Sequence, residues 1–418
     1  MNITVLATGS RGDVQPFFAL AYALQQAGHK VDVISNAHFA PLLSAYGLTL
    51  KPISWDARET LRRAPGPWRI RLASLLSDLR RSWQSQTRVF EHVLDDTWQA
   101  GREAKNLVYS FIAPWGYNIA EKLGIPSIVG SLNPVYPTCA FPMQFMPVNL
   151  GKRLNLVSHS IGIWGLWLIL RSAYNRVRQQ NLGLPAIKGA GGVVRRMLEG
   201  EAPLLHSLSP TVISRPADWP DRVHMDGYWF LPQPAGWQPP VDLVDFIQRE
   251  DTPVYIGYGS MVYPNAEKMG QIALQALKLA GLRGVLSRGW GGLQAKDCPE
   301  NVFLIDEIPH DWLFPQMRAV VHHGGAGTTA AGLRAGVPAV VVPYMQDQPY
   351  WARKLVVLGV SPTPIAYSRI TAKKLAHRLI EVTRNQTMQV RARQLGVEIS
   401  AEKGVEKAVG VIEAYFSS

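Results

Sequence analysis

The chain has 418 residues, with 43 Lys and Arg against 31 Asp and Glu, a formal net charge of +12. Apolar residues make up 47% and aromatic residues 9%, which excludes a wholly disordered chain, and the length suits two domains. Two distant cysteines, Cys139 and Cys298, exclude a disulfide framework and a four-thiolate metal site, and they fit a reducing, cytoplasmic compartment.

The first apolar stretch, residues 3–7, is too short for a signal sequence and runs straight into Ser10-Arg11-Gly12-Asp13. The sequence predicts a strand at 2–7, a turn at 9–13 and a helix over 14–26 that ends at Gly28. Further strands are expected at 30–35, 106–110 and 127–130. A spanning helix needs about 20 apolar residues. The longest apolar run, 161–170, is broken by Gly162 and Gly165, so no transmembrane segment is expected. Residues 215–240 carry six prolines, with Trp219, Trp229 and Trp237 between them, and read as the passage from one domain to the next. The pattern then restarts, with strands at 253–258, 283–287, 302–305, 319–322 and 339–342. Runs such as Val340-Val341-Val342 suit strands covered on both faces, as in parallel sheets. The predicted fold is α/β, with two doubly wound Rossmann-like domains facing each other across a cleft.

The strongest chemical signal is His322-His323-Gly324-Gly325-Ala326-Gly327-Thr328, which follows a strand and opens a helix. Glycines admit a ligand close to the backbone, and a helix N-terminus favours a phosphate. Thr328 and His323 add donors. The stretch lacks the Lys-Ser/Thr ending of a P-loop. A tight turn with buried histidines is the plain alternative. A metal is not expected, because adjacent histidines seldom point at one ion. Asp347 and Gln348 follow the next strand and suit sugar hydroxyls, although Asp347 could serve only as a helix cap. Asp13 lies at a helix start, where the dipole favours its ionised form, and it is either a general base or a cap. Ser260 and Arg288-Gly289-Trp290 end two further strands. Arg288 could pair with phosphate and Trp290 could face a base, or both could be surface packing.

Taken together, residues 9–16, Ile308-Pro309-His310-Asp311-Trp312-Leu313-Phe314-Pro315 and 322–348 resemble glycosyltransferase family 1. Within it the chain is most similar to the sterol 3-β-glucosyltransferases and related bacterial lipid, glycopeptide and rhamnosyl transferases. The resemblance implies a GT-B fold. Its acceptor domain would span 1–215, its linker 216–240 and its nucleotide-sugar domain 241–400, with a helix over 401–418 that returns to the first domain. It implies an inverting, metal-independent transfer without a resident cofactor, with Asp13 as the base. His323 would meet the α-phosphate, and Ala326, Gly327 and Thr328 would frame the pyrophosphate. Asp347 and Gln348 would hold the sugar, and Ile308 and His310 the nucleoside. Ser10 and Arg11 would touch the donor from the other domain, and Ser260 the β-phosphate. The donor implied is UDP-glucose, with a dTDP-deoxysugar or rhamnosyl donor as the alternative. A nucleotide-sugar 2-epimerase of the same fold is the rival class.

The acceptor implied is hydrophobic and hydroxylated, a sterol, triterpenoid or lipid, with Trp115, Tyr117, Phe141, Met143 and Phe145 lining its pocket. Residues 151–200 hold eight bases against Glu199 alone, around the apolar run 161–170. Residues 68–83 also read as an amphipathic helix, with Leu72, Leu75, Leu76, Leu79 and Trp83 flanked by arginines. Both segments suit peripheral contact with an anionic membrane, the alternative being plain core or acceptor-pocket walls with a basic rim. No nucleic-acid recognition module is present.

Overall fold

Thr4, Val5 and Leu6 are buried in succession along β1 (Asn2–Leu6), as a strand covered on both faces requires. The computed structural model describes residues 1–55, 91–144, 146, 149–249, 251–259, 266–289 and 298–418. The amphipathic segment 68–83, Phe145, Ser260 and Trp290 lie outside the described residues. The chain forms two units: Met1–Pro210 with Ser214–Leu231 and Gly404–Ser418, and Thr211–Ile213 with Pro232–Lys403.

In the first unit β1 is joined by β2 (Lys30–Asn36), β3 (Thr49–Ile53), β4 (Leu107–Ser110), β5 (Ser127–Ser131), β6 (Leu204–His206) and β7 (Val223–Met225). The order is β3-β2-β1-β4-β5-β6-β7, and every pair is parallel. Helix α1 (Arg11–Gln26) sets Phe17, Phe18, Leu20 and Leu24 into the core with Val5 and Val33. It starts earlier than expected because Ser10 takes the extended conformation of an N-cap, with φ −77° and ψ 169°. Helix α2 (Trp115–Leu123) ends at Gly124, whose φ of 63° suits the left-handed cap.

Helix α3 (Lys152–Gln180) is longer than the broken apolar run suggests, and its 29 residues are long and apolar enough to cross a membrane by length and composition alone. The glycines that interrupt the apolar run do not interrupt the helix. At Gly162 a side chain would collide with Met143, so glycine is what lets residue 143 lie against the helix.

The second unit contains β8 (Val254–Ile256), β9 (Gly284–Ser287), β10 (Val302–Ile305), β11 (Val320–His322) and β12 (Ala339–Val341). They form a parallel sheet in the order β10-β9-β8-β11-β12. Helices α4 (Ala326–Arg334) and α5 (Gln348–Val357) follow β11 and β12. Each sheet reverses its strand order beside its first strand, between β1 and β4 and between β8 and β11. In open α/β sheets ligands bind at the carboxyl ends of the strands at such a reversal.

The Pro-rich stretch expected to bridge the domains divides at Leu231, because β7 within it forms the edge of the first sheet. Helix α6 (Gly404–Ser417) belongs to the first unit and packs on α1. His29 Nε2 lies 2.8 Å from Glu413 Oε1, and Gly404 lies so close to Gly227 that no side chain would fit at 404.

One charged cluster holds α3 to α2. The fully buried guanidinium of Arg178 donates to Glu121 through Nη1 (2.8 Å) and Nη2 (3.0 Å), to Asn118 Oδ1 (2.6 Å) and to the Pro185 carbonyl (3.0 Å). Removing one partner of a buried pair leaves the other charge uncompensated. Glu121→Ala is expected to cost about 3 kcal/mol of stability, read as a lower urea midpoint with unchanged slope.

Candidate functional site

The site residues of the first unit gather where β1 meets α1. Gly9 adopts φ 132°, and a Cβ there would fall 2.8 Å from Asp13 Oδ2, so only glycine lets the chain turn over this carboxylate. The Gly9 N–H donates to Asn36 Oδ1 at the end of β2 (3.2 Å), and Asn36 donates to the Trp55 carbonyl (2.6 Å). Asp13 is the third helical residue and not the N-cap. Its Oδ2 accepts from the Ser10 N–H (2.8 Å) and from the Ser10 hydroxyl (2.7 Å). Its Oδ1 accepts no hydrogen bond from a described residue.

The location at a helix start was expected to favour the ionised carboxylate. Burial outweighs it. Desolvation raises the pKa of Asp13, and the two Ser10 hydrogen bonds only partly oppose it. The result is a more basic carboxylate than an exposed one. Arg11 turns along the helix, with Nε donating to Gln15 Oε1 (2.9 Å).

In the second unit three strand ends converge. A Cβ at Gly259, after β8, would fall 2.8 Å from His323 Cε1. At Gly325 it would fall 2.4 Å from His323 Nε2, and at Gly289, after β9, 2.5 Å from the Gly259 carbonyl. The imidazole of His323 is therefore seated between two glycines at the reversal of the sheet. Its Nδ1 is buried without a hydrogen-bond partner among the described residues, and burial lowers its pKa to about 4. It is neutral near pH 7 and keeps one N–H to donate. His322 has a different role. It is fully buried, its Nδ1 accepts from the Gly324 N–H (3.0 Å), and burial holds its pKa at about 3.

Gly325 is the N-cap of α4, and the first helical hydrogen bond runs from the Thr329 N–H to the Gly325 carbonyl (2.9 Å). The N–H groups of Ala326, Gly327 and Thr328 thus have no intrahelical acceptor, and they stand at the positive end of the helix dipole. His323 and the first N–H groups of α4 follow one another along the chain, a set of donors whose chemistry suits an anion.

After β12, Gln346 takes φ 58°, the one non-glycine residue with positive φ among the described residues. Asp347 begins α5 without capping it. Its Oδ2 instead accepts from the indole N–H of Trp351, one turn on (3.1 Å). Gln348 is buried, and its carboxamide oxygen accepts from the N–H groups of Tyr344 (2.8 Å) and Met345 (3.1 Å). That oxygen braces the loop that carries Asp347. Arg288 Nη1 binds Asp306 Oδ1 (3.0 Å) at the surface. His310 stacks on Phe314 with centroids 4.2 Å apart, beside a partly buried Ile308.

The acceptor-lining candidates fall into two groups. Trp115 and Tyr117 open α2, where Gly116 lies hard against Tyr109. Phe141 packs edge-on to Trp219 (6.4 Å), and Met143 lies over Gly162 of α3. Asn36, Gly259, Gly289 and Trp351 were not anticipated as site residues. Trp351 had a legible signal, an indole four residues after a carboxylate. The others needed the tertiary approach of separate strands.

Residues 3–142 match the glycosyltransferase family 28 N-terminal domain, and 292–414 match the erythromycin biosynthesis protein CIII-like C-terminal domain. The sterol 3-beta-glucosyltransferase of Aspergillus oryzae is 34% identical over 428 residues, 99% of this chain and 30% of the relative. That of Cryptococcus neoformans var. neoformans serotype D is 32% identical over 440 residues, 99% of this chain and 27% of the relative. The chain thus spans about three tenths of the length of these curated relatives. Among solved structures, the kitacinnamycin glycosyltransferase superposes with TM-score 0.72 at 19% identity over 99% of both chains. The calicheamicin glycosyltransferase CalG4 gives 0.70 at 17% identity, over 100% of this chain and 98% of that one. The chain has the GT-B fold, and the glycosyltransferase family 28 match over its first third, together with its likeness to sterol 3-beta-glucosyltransferases along 99% of its length, supports a GT-B glycosyltransferase.

Proposed function

We propose that this chain transfers glucose from UDP-glucose to the hydroxyl of a hydrophobic, sterol-like acceptor. The observation that carries the reading is the Asp13 carboxylate, held by Ser10 through one oxygen and made more basic by burial. Asp13 Oδ1 takes the proton of the acceptor hydroxyl as that oxygen forms its bond to the anomeric carbon. The bond from that carbon to the donor's phosphate oxygen breaks, and the configuration inverts. Negative charge grows on the leaving diphosphate, where the N–H groups of 326–328, Thr328 and His323 meet it. Asp347, steadied by Trp351, accepts from sugar hydroxyls. The names of the relatives support the sterol class of acceptor and glucose as the sugar.

The test is a donor screen against a panel of sterols and other hydrophobic alcohols, with glycosylated product and released nucleoside diphosphate read by mass. Donor turnover with no acceptor present, or no product with any pair, overturns the reading. Asp13→Asn is expected to retain UDP affinity and lose transfer by at least about a hundredfold, the scale of a lost general base. His323→Ala is expected to weaken UDP binding by about tenfold or more, as removal of a hydrogen bond to a charged group does, measured by calorimetry.

The pH dependence has a definite sign. A base works deprotonated, and the pKa of Asp13 is raised above 3.8. The kcat/KM of the enzyme therefore falls on acidification from a pH above that of an ordinary aspartate. Ser10→Ala removes a hydrogen bond that stabilises the charged form and should move this acid limb to still higher pH.

A further inference from the structure

The first half of α3 carries a large apolar surface that no described residue covers. Leu154 (58% exposed), Val157, Ile161 (57%) and Trp164 (50%) follow one another at intervals of three and four residues, with Leu150 before them. This is the stripe of one helix face. The opposite face supplies the buried residues Asn155, Ser158, His159 and Trp167. Soluble surfaces rarely leave a contiguous apolar face of this kind unpartnered.

The charges of the helix itself have one sign. Helix α3 contains no acidic residue. Lys152 and Arg153 are exposed at one end of the stripe, and Arg171 is exposed beyond the other. None of the three pairs with an acid among the described residues, whereas Arg176 and Arg178 are taken up by Glu91 and Glu121. A second copy of the chain is a poor occupant. Pairing two such faces, parallel or antiparallel, sets cation against cation at both ends. Anionic lipid headgroups answer the cations, and the acyl boundary answers the stripe. Trp164 has the amphipathic ring that settles at that boundary.

We propose that α3 lies in the surface plane of an anionic lipid bilayer, with Leu154, Val157, Ile161 and Trp164 inserted and Lys152, Arg153 and Arg171 on the headgroups. The helix lies on the membrane and does not cross it. Its second half is built into the first unit by the Arg178–Glu121 pair, by the Tyr174 hydroxyl donating to the Pro114 carbonyl (2.8 Å) and by Asn175 donating to the Ile187 carbonyl (3.1 Å). Spanning the bilayer would require pulling the helix from these partners and leaving the polar groups unsatisfied in hydrocarbon.

The experiment is co-sedimentation of the full chain with phosphatidylcholine vesicles, with and without phosphatidylglycerol, in low and high salt and without donor or acceptor. Binding to the anionic vesicles that weakens with salt is expected. The Ile161→Glu/Trp164→Glu and Lys152→Glu/Arg153→Glu variants should each lower the partition by about tenfold or more, with unchanged thermal melting because all four side chains are exposed. No binding to anionic vesicles overturns the proposal, as does equal binding by the variants. Self-association that Ile161→Glu abolishes, in a chain that ignores vesicles, would assign the face to a second copy. Each outcome is independent of glycosyl transfer, so its failure leaves the proposed reaction standing.

Discussion

The imidazole of His323 sits where two backbones leave no space for side chains. Gly259 presses on one edge of the ring and Gly325 on the other, and Gly289 in turn presses on the Gly259 carbonyl. The ring direction, the start of α4 and the ends of β8 and β9 are therefore specified together. Desolvation lowers the proton affinity of the ring, and its Nδ1 has no hydrogen-bond partner among the described residues. A single large side chain at either flanking glycine would displace the histidine, and with it the alignment of three backbone donors.

The first unit solves a different problem at the equivalent place in its sheet. There the group at the end of the first strand is a carboxylate, Asp13, at the start of α1. Ser10 donates twice to one carboxylate oxygen, which fixes its direction, and burial raises its proton affinity. Hydrogen bonds and desolvation act in opposite directions on the pKa, so orientation is gained without surrendering basicity. Asn36, reaching from the neighbouring strand to the Gly9 N–H, ties this arrangement to the sheet.

Much of the architecture is legible in the sequence because parallel strands buried on both faces leave continuous apolar runs, as at 340–342. The strands that escape are short or broken in pattern. β6 and β7 have three residues each and carry His206 and His224, and β3 carries Lys51 and Pro52. The continuity of α3 is hidden by two glycines that read as breaks, of which Gly162 instead accommodates Met143. At the site, the glycine-rich turn and Asp13 announce themselves by composition and by position after a strand. The division of labour between Asp347 and Gln348 does not. Two adjacent polar residues look equivalent in sequence, and only the burial of Gln348 beneath the N–H groups of Tyr344 and Met345 separates the brace from the residue it supports.

Helix α6 has a bearing on the order in which the protein can be completed. It adds Ala408, Val409 and Ile412 to the core of the first unit, although 172 residues of the second unit, Pro232–Lys403, precede it along the chain. A ribosome emits residues from the N-terminus onward, and domains generally fold as they emerge. Here the first sheet is made early but must wait with part of its core open. The second unit, contiguous but for Thr211–Ile213, is whole before the first is closed. During synthesis the unit that holds His323 can thus mature while the unit that holds Asp13 is still unfinished.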